Sequence, residues 1–176
     1  MDRSRINTAI HENHGAFVAR INAVPIDLLD KSYNGKWTPA QHLEHIQRAV
    51  VPVSLALIVP KWFLRWRFGK PNRAPRDYDG LVQRYKEKLA AGGRASGRFV
   101  PPRVPSNAVK RISSSVQRIA TTMTRRVSNW KEQDLDTVLL PHPLLGKLTV
   151  REMLYFTIYH VQHHHALVDR DYPERP

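Results

Sequence analysis

From Thr149 to Asp169 apolar residues recur at intervals of three and four, and two histidines, His160 and His164, fall inside the apolar stripe. Thr149 and Glu152 have capping-box spacing, in which hydroxyl and carboxylate satisfy backbone N–H groups that a helix start leaves without partners. At about 100° per residue, Val150, Met153, Leu154, Phe156, Val161, Leu167 and Val168 share one face. His163 and His165 point to its flanks. A chain that turns imidazoles toward its own core must supply partners for them, because a buried polar group without one is costly. Residues i and i+4 of a helix lie side by side, so one metal ion can serve both rings. The alternatives are core histidines bonded to a carbonyl or a water, and a solvated basic helix end. A third ligand from another part of the chain decides between them.

Three more stretches have helical spacing. Ser4 to Ala23 carries Ile6, Ile10, Phe17 and Ile21, with Pro25 beyond to stop the helix. His11 and His14 are read there as surface or boundary histidines. Pro25 to Asn34 is a short acidic connection with room for one helical turn. A second helix starts at Thr38-Pro39-Ala40-Gln41: Thr38 caps it, Pro39 occupies the first turn where its missing N–H costs nothing, and Gln41 completes a capping box. Leu43, Ile46, Val50, Val53 and Leu57 form its stripe, and Pro52 is expected to kink it or close it early. Periodicity puts His42 inside that stripe and His45 at its edge, where a ligand can still serve a cleft. Ser106 is expected to cap a third long helix striped by Val109, Ile112, Val116, Ile119, Met123, Val127 and Trp130. Leu135 to Lys147 is read as a connection, because Pro141-His142-Pro143 and Gly146 argue against helix. His142 could approach a pocket, but a loop histidine between two prolines has many ordinary explanations.

Between the second and third of these helices lies a basic segment. Lys61 to Pro105 holds 12 Lys or Arg against 3 Asp or Glu, which is +9 of the chain's net +13. Such a segment can meet phosphates, lipid headgroups or an acidic substrate, or be a solvated surface. No nucleic-acid reading motif accompanies the charge. Within it, residues 61–70 alternate aromatic with basic side chains. The reading adopted is that the rings cap the core while Lys and Arg heads reach outward; the other is a stacking or interfacial patch, and in either case the candidate for a lid. Asp79 to Ala91 reads as a short charged helix ended by Gly92-Gly93, and residues 93–105 as a mobile loop.

Four helical stripes without convincing strands make an all-α, antiparallel four-helix bundle the expected fold, one domain over residues 1–176 with 61–105 as a basic Pro/Gly-rich insertion. The sequence contains no cysteine, which excludes disulfides and thiolate ligands, so thiol chemistry would need a thiol from outside. The most apolar run, Ala49 to Val59, is broken by Pro52 and falls far below the roughly 20 residues of a membrane span. With no apolar core of signal-peptide length at its start, the chain is expected to be soluble and cytoplasmic.

Two stretches resemble the DinB-like superfamily, bacterial four-helix proteins described as metal-dependent enzymes. Trp37-Thr38-Pro39-Ala40-Gln41-His42-Leu43-Glu44-His45-Ile46 is similar to the family's Trp-Ser/Thr start followed, eight residues after the Trp, by a ligand His. His142-Pro143-Leu144-Leu145-Gly146-Lys147-Leu148-Thr149, leading into His160-Val161-Gln162-His163-His164, is similar to its Gly-containing approach to a His-x-x-x-His pair. The resemblance implies a metal triad of His45, His160 and His164, with His45 rather than His42 from the second helix. One departure is Leu167, where several relatives carry a Gln able to bond a ligand or substrate.

Three neutral imidazoles leave a cation with open positions, the arrangement of a catalytic site. Zinc fits best by ligand type, and nickel, iron and manganese also accept imidazole. The family implies thiol transferases and isomerases that use low-molecular-weight thiols, and some hydrolases. The leading expectation is a metal that activates a thiol or water against a small electrophilic substrate. Neither Glu44 nor Glu152, the nearest carboxylates in sequence, is assigned as a base. The rival classes are a non-catalytic metal- or ligand-binding bundle and a membrane-surface or nucleic-acid adaptor using residues 61–70. Association into a homodimer is left open.

Overall fold

Each stretch with helical spacing is a helix in the computed structural model, which describes residues 1–173. The described residues form α1 (Arg3–Ala23), α2 (Pro39–Ala56), α3 (Lys61–Phe68), α4 (Tyr78–Ala90), α5 (Val109–Ser128), α6 (Glu132–Thr137), a hairpin of β1 (Leu139–His142) and β2 (Gly146–Thr149), and α7 (Val150–Asp171). Local chemistry sets most of the starts. Asp2 accepts from the Arg5 N–H at the head of α1. Capping boxes open α2 at Thr38 and Gln41, and α7 at Thr149 and Glu152.

The protein is mostly helical. α1 and α2 each pack against both α5 and α7, while α4 lies on α7 and α3 on β1. One apolar cluster gathers Ile6, Ile10, Met123, Leu135, Leu148 and Leu154; a second gathers Phe17, Ile21, Leu43, Ile46, Val116 and Val161. α7 serves both. Its first half is buried almost all round, with Tyr155, Thr157 and Ile158 enclosed as well as the expected stripe.

Several expectations are corrected. Of the two outcomes expected of Pro52, early closure does not occur: α2 runs on to Ala56, where it packs on α5 and Arg126 donates to the Ser54 carbonyl. Ser106 does not cap α5: it begins a short 3-10 turn, its backbone N–H donates to Asp30, and α5 starts without a side-chain cap. The connection after α6 is a hairpin, with Leu140 opposite Leu148 and Pro141 opposite Lys147. A two-stranded ribbon has free edges on both sides, which tolerates the proline. Gly146, at φ +77°, closes the turn, and His142 Nδ1 accepts the N–H groups of Leu144 and Leu145. That accounts for His142.

α3 also departs from the reading adopted above. Leu64 is buried and Phe68 packs on the core, but Trp62, Phe63 and Trp66 are exposed. The basic heads turn the other way, with Lys61 and Arg65 both bonded to Asp134. His14 is fully buried rather than superficial. It continues the series Ile6, Ile10, His14, Phe17, Ile21, so the signal was present in the spacing. No single helix among the described residues is long and apolar enough to cross a membrane.

Candidate metal centre

α2 and α7 face each other, and each presents two histidines to the gap. From α2 come His42 and His45, one turn apart; from α7 come His160 and His164. His45, His160 and His164 are 5 %, 6 % and 5 % exposed. One ring nitrogen of each lies within 4.8 Å of the others. His160 Nε2 is 3.1 Å from His45 Nε2 and 3.1 Å from His164 Nε2.

Hydrogen bonds serve those two contacts only in part. His45 Nδ1 is 2.7 Å from the Phe99 carbonyl, which only accepts, so Nδ1 carries the proton and Nε2 of the neutral ring has none to give. His160 Nε2 is then either a donor of one proton or an acceptor from His164 alone. In the first case a single proton is divided between two acceptors, and in the second the contact with His45 is a meeting of two lone pairs. A cation would meet all three lone pairs: tetrahedral ligation at zinc–nitrogen distances near 2.0–2.1 Å places nitrogens about 3.3 Å apart, close to the two 3.1 Å contacts of His160. Three nitrogen donors without a carboxylate fit a divalent ion with positions left for a guest.

Each imidazole is supported from behind. The Phe99 carbonyl orients His45 from the turn at residues 97–99, in the segment between α4 and α5 that the sequence suggested was mobile. The Phe156 ring stacks on His160, at 4.7 Å and 22°, and Tyr85 of α4 meets the same ring edge-on. Trp37 lies parallel to His164 and against His45. His42 Nδ1 is 2.8 Å from His164 Nδ1. Were His164 Nε2 to ligate an ion, its Nδ1 would hold the proton and donate it to His42, which fixes the tautomer that ligation requires. Periodicity had placed His42 inward; the structure brings both α2 histidines in, and gives them different neighbours.

Electrostatics favour the neutral rings. Burial, then the neighbouring imidazoles, hold His160 and His164 well below the ordinary histidine pKa. Burial also lowers His45 against the opposing pull of the Phe99 carbonyl, and takes His42 to about 4. Four uncharged imidazoles therefore face one another at neutral pH. Neither nearby carboxylate is free: Glu44 pairs with Arg48, and Glu152 with Arg73 and Arg76. A cleft of about 600 Å³, lined in part by Lys36, Trp37, Thr38, Gln41 and Arg103, adjoins the histidines through Trp37.

One consequence is measurable. His42→Phe should weaken zinc binding by 10- to 100-fold, the effect typical of removing a residue that orients a ligand. His42→Asn, whose carbonyl can take the place of Nδ1, should restore most of it. Calorimetric zinc titration reads both, and equal affinities for His42→Phe and the native protein would remove His42 from this role.

Against known proteins, residues 9–168 match the family model described as the DinB superfamily. No curated protein and no solved structure matches the chain.

Proposed function

The chain belongs to the DinB superfamily, and from that membership together with its converging imidazoles we propose that it is a metal-dependent enzyme with a divalent cation on His45, His160 and His164. The scaffold is read as an antiparallel bundle of α1, α2, α5 and α7, with residues 61–105 inserted between its second and third members. The observation that carries the reading is the pair of 3.1 Å contacts around His160 Nε2, which a cation would meet with three lone pairs and one shared proton serves only in part. Zinc suits the three imidazoles best, and nickel, iron and manganese accept the same donors. Bound there, such an ion would lower the pKa of a water or hold a small thiol as its thiolate, supplying a nucleophile near neutral pH.

The chain's own groups do the rest. The depressed pKa values keep lone pairs available on all three rings. Phe156, Tyr85 and Trp37 exclude bulk water from their faces. The cleft beside Trp37 receives the small electrophilic substrate, with Arg103 at its edge for a negatively charged substituent. Because the sequence has no cysteine, a thiol enters as a cosubstrate.

The test is elemental analysis of untagged protein purified without added metal, paired with a screen of low-molecular-weight thiols against electrophilic acceptors. The expected result is a stoichiometric divalent ion and a thiol-dependent transfer, or a hydrolysis, lost on chelation and restored by the ion. Protein that arrives without metal and binds none refutes the proposal. Bound metal without turnover assigns the chain to non-catalytic metal binding.

A further inference from the structure

α3 has an outer face that none of the described residues covers. Trp62 and Trp66 are 70 % and 74 % exposed, and Phe63 between them is 38 % exposed. The three rings form one group, with Phe63 5.9 Å from Trp62 and 5.6 Å from Trp66 between centroids. Immediately before them, at the elbow where α2 turns through 109° into α3, Leu55 and Ile58 are 52 % and 60 % exposed. Five large apolar side chains in twelve residues are left in water. Large apolar side chains exposed in this number mark a surface that meets something.

The patch is held rigidly. Leu64 is buried on the opposite side of α3, Phe68 packs on the core, and Lys61 and Arg65 are tied to Asp134. Residues 62 and 66 are one turn apart, so anchoring positions 61, 64, 65 and 68 turns both indoles outward together.

Charge selects the partner. Arg67 and Lys70 follow directly, and neither has a carboxylate partner among the described residues. Lys131 adjoins Trp130, whose ring N–H bonds the elbow at Leu57. The chain as a whole carries +13. A second copy would bring the same charges to the contact and repel it. An anionic lipid surface complements them: indole rings settle at the headgroup level, and arginine and lysine meet the phosphates. We propose that α3 and the preceding elbow form a membrane-interface anchor that seats the protein on anionic phospholipid without spanning it. This surface is independent of the histidine site.

Sedimentation with vesicles of phosphatidylcholine, with and without phosphatidylserine, tests it. The native protein should be retained on phosphatidylserine-containing vesicles and released by high salt. Trp62→Ala/Trp66→Ala and Arg67→Glu/Lys70→Glu should each reduce retention at least tenfold. The altered side chains are solvent-exposed, so helicity by circular dichroism and zinc binding should be unchanged, which separates loss of the anchor from loss of fold. No retention of the native protein, equal retention on both vesicle types, or full retention of the tryptophan variant overturns the proposal. So does a native dimer in analytical ultracentrifugation that the tryptophan changes convert to monomer, which assigns the patch to a second copy.

Discussion

Replacing His160 by alanine should weaken zinc binding more than about 100-fold, the largest effect expected of any single change in this protein. His160 holds its Nε2 3.1 Å from a ring nitrogen of each of the other two imidazoles. Removing a residue that only orients a ligand costs 10- to 100-fold, so removing the central ligand costs more. The two nitrogens that remain belong to different helices and have no third donor between them. Stability provides a second reading of the same loss. An ion at 100 times its dissociation constant stabilises a folded site by about 2.7 kcal/mol, so zinc should raise the native melting temperature and leave that of His160→Ala unmoved. Zinc titration and melting with and without the ion check this, with circular dichroism to establish that α7 persists. Stoichiometric zinc retained by the variant would show that the site is not the one described.

The second large effect belongs to Glu152, which has no part in binding the ion. Its carboxylate is completely buried. It accepts from Arg73 at 2.7 and 3.0 Å, from the Arg76 N–H at 3.0 Å and from the Thr149 N–H at 2.9 Å. One side chain thus closes the capping box of α7 and pins the segment between α3 and α4. Glu152→Ala leaves two guanidinium groups and two backbone donors facing an apolar hole. Breaking a buried pair costs about 3–5 kcal/mol, and because both arginines are about a third exposed, water recovers part of that. A loss of about 3 kcal/mol is expected, which lowers the melting temperature by about 10 °C in a chain of this size.

The same group shapes the response to acid. Burial opposes ionisation of Glu152, but its Arg73, Thr149 and Arg76 hydrogen bonds outweigh burial and hold its pKa below the ordinary 4.5. Its contribution is therefore complete above that value and lost as the pH falls through the folded pKa. Histidines act over a higher window. Burial lowers His14 and His142 from 6.5 to about 4, so the unfolded chain takes up protons between those values while the folded one does not. Stability of the metal-free protein should fall from pH 6.5 toward 4, and fall again below about 4.5 as Glu152 is protonated. Denaturant unfolding across pH checks both limbs. Glu152→Gln should make the lower limb shallower and leave the upper one, the rest of the lower limb belonging to Glu132, Asp134 and Asp171; an unchanged lower limb, or a change in both, contradicts the assignment.

What could be read directly from the residues was local. Helix starts at Thr38 and Thr149 follow from side chains that bond backbone groups three residues away, and the structure shows both capping boxes. Apolar spacing located α1, α2, α5 and α7, and put His160 and His164 on one face, because both properties repeat with the turn of a single helix. Resemblance supplied His45, which lies three residues from the histidine that periodicity favoured. Only the folded chain gave the two α2 histidines their places, His45 beside His160 and His42 behind His164.

The remaining features depend on partners distant in sequence. The Phe99 carbonyl that orients His45 is a backbone atom and leaves no mark in residue type. Glu152 meets Arg73 and Arg76 across more than seventy residues, while it also performs the local capping role that the spacing announced. The direction of α3 was set by Asp134, which draws Lys61 and Arg65 inward and leaves the indoles outside. Periodicity records which side of a helix is apolar within one rod. Which charge, carbonyl or ring waits on the neighbouring rod is settled when the rods pack, and that is where both the three-imidazole centre and the exposed aromatic face were decided.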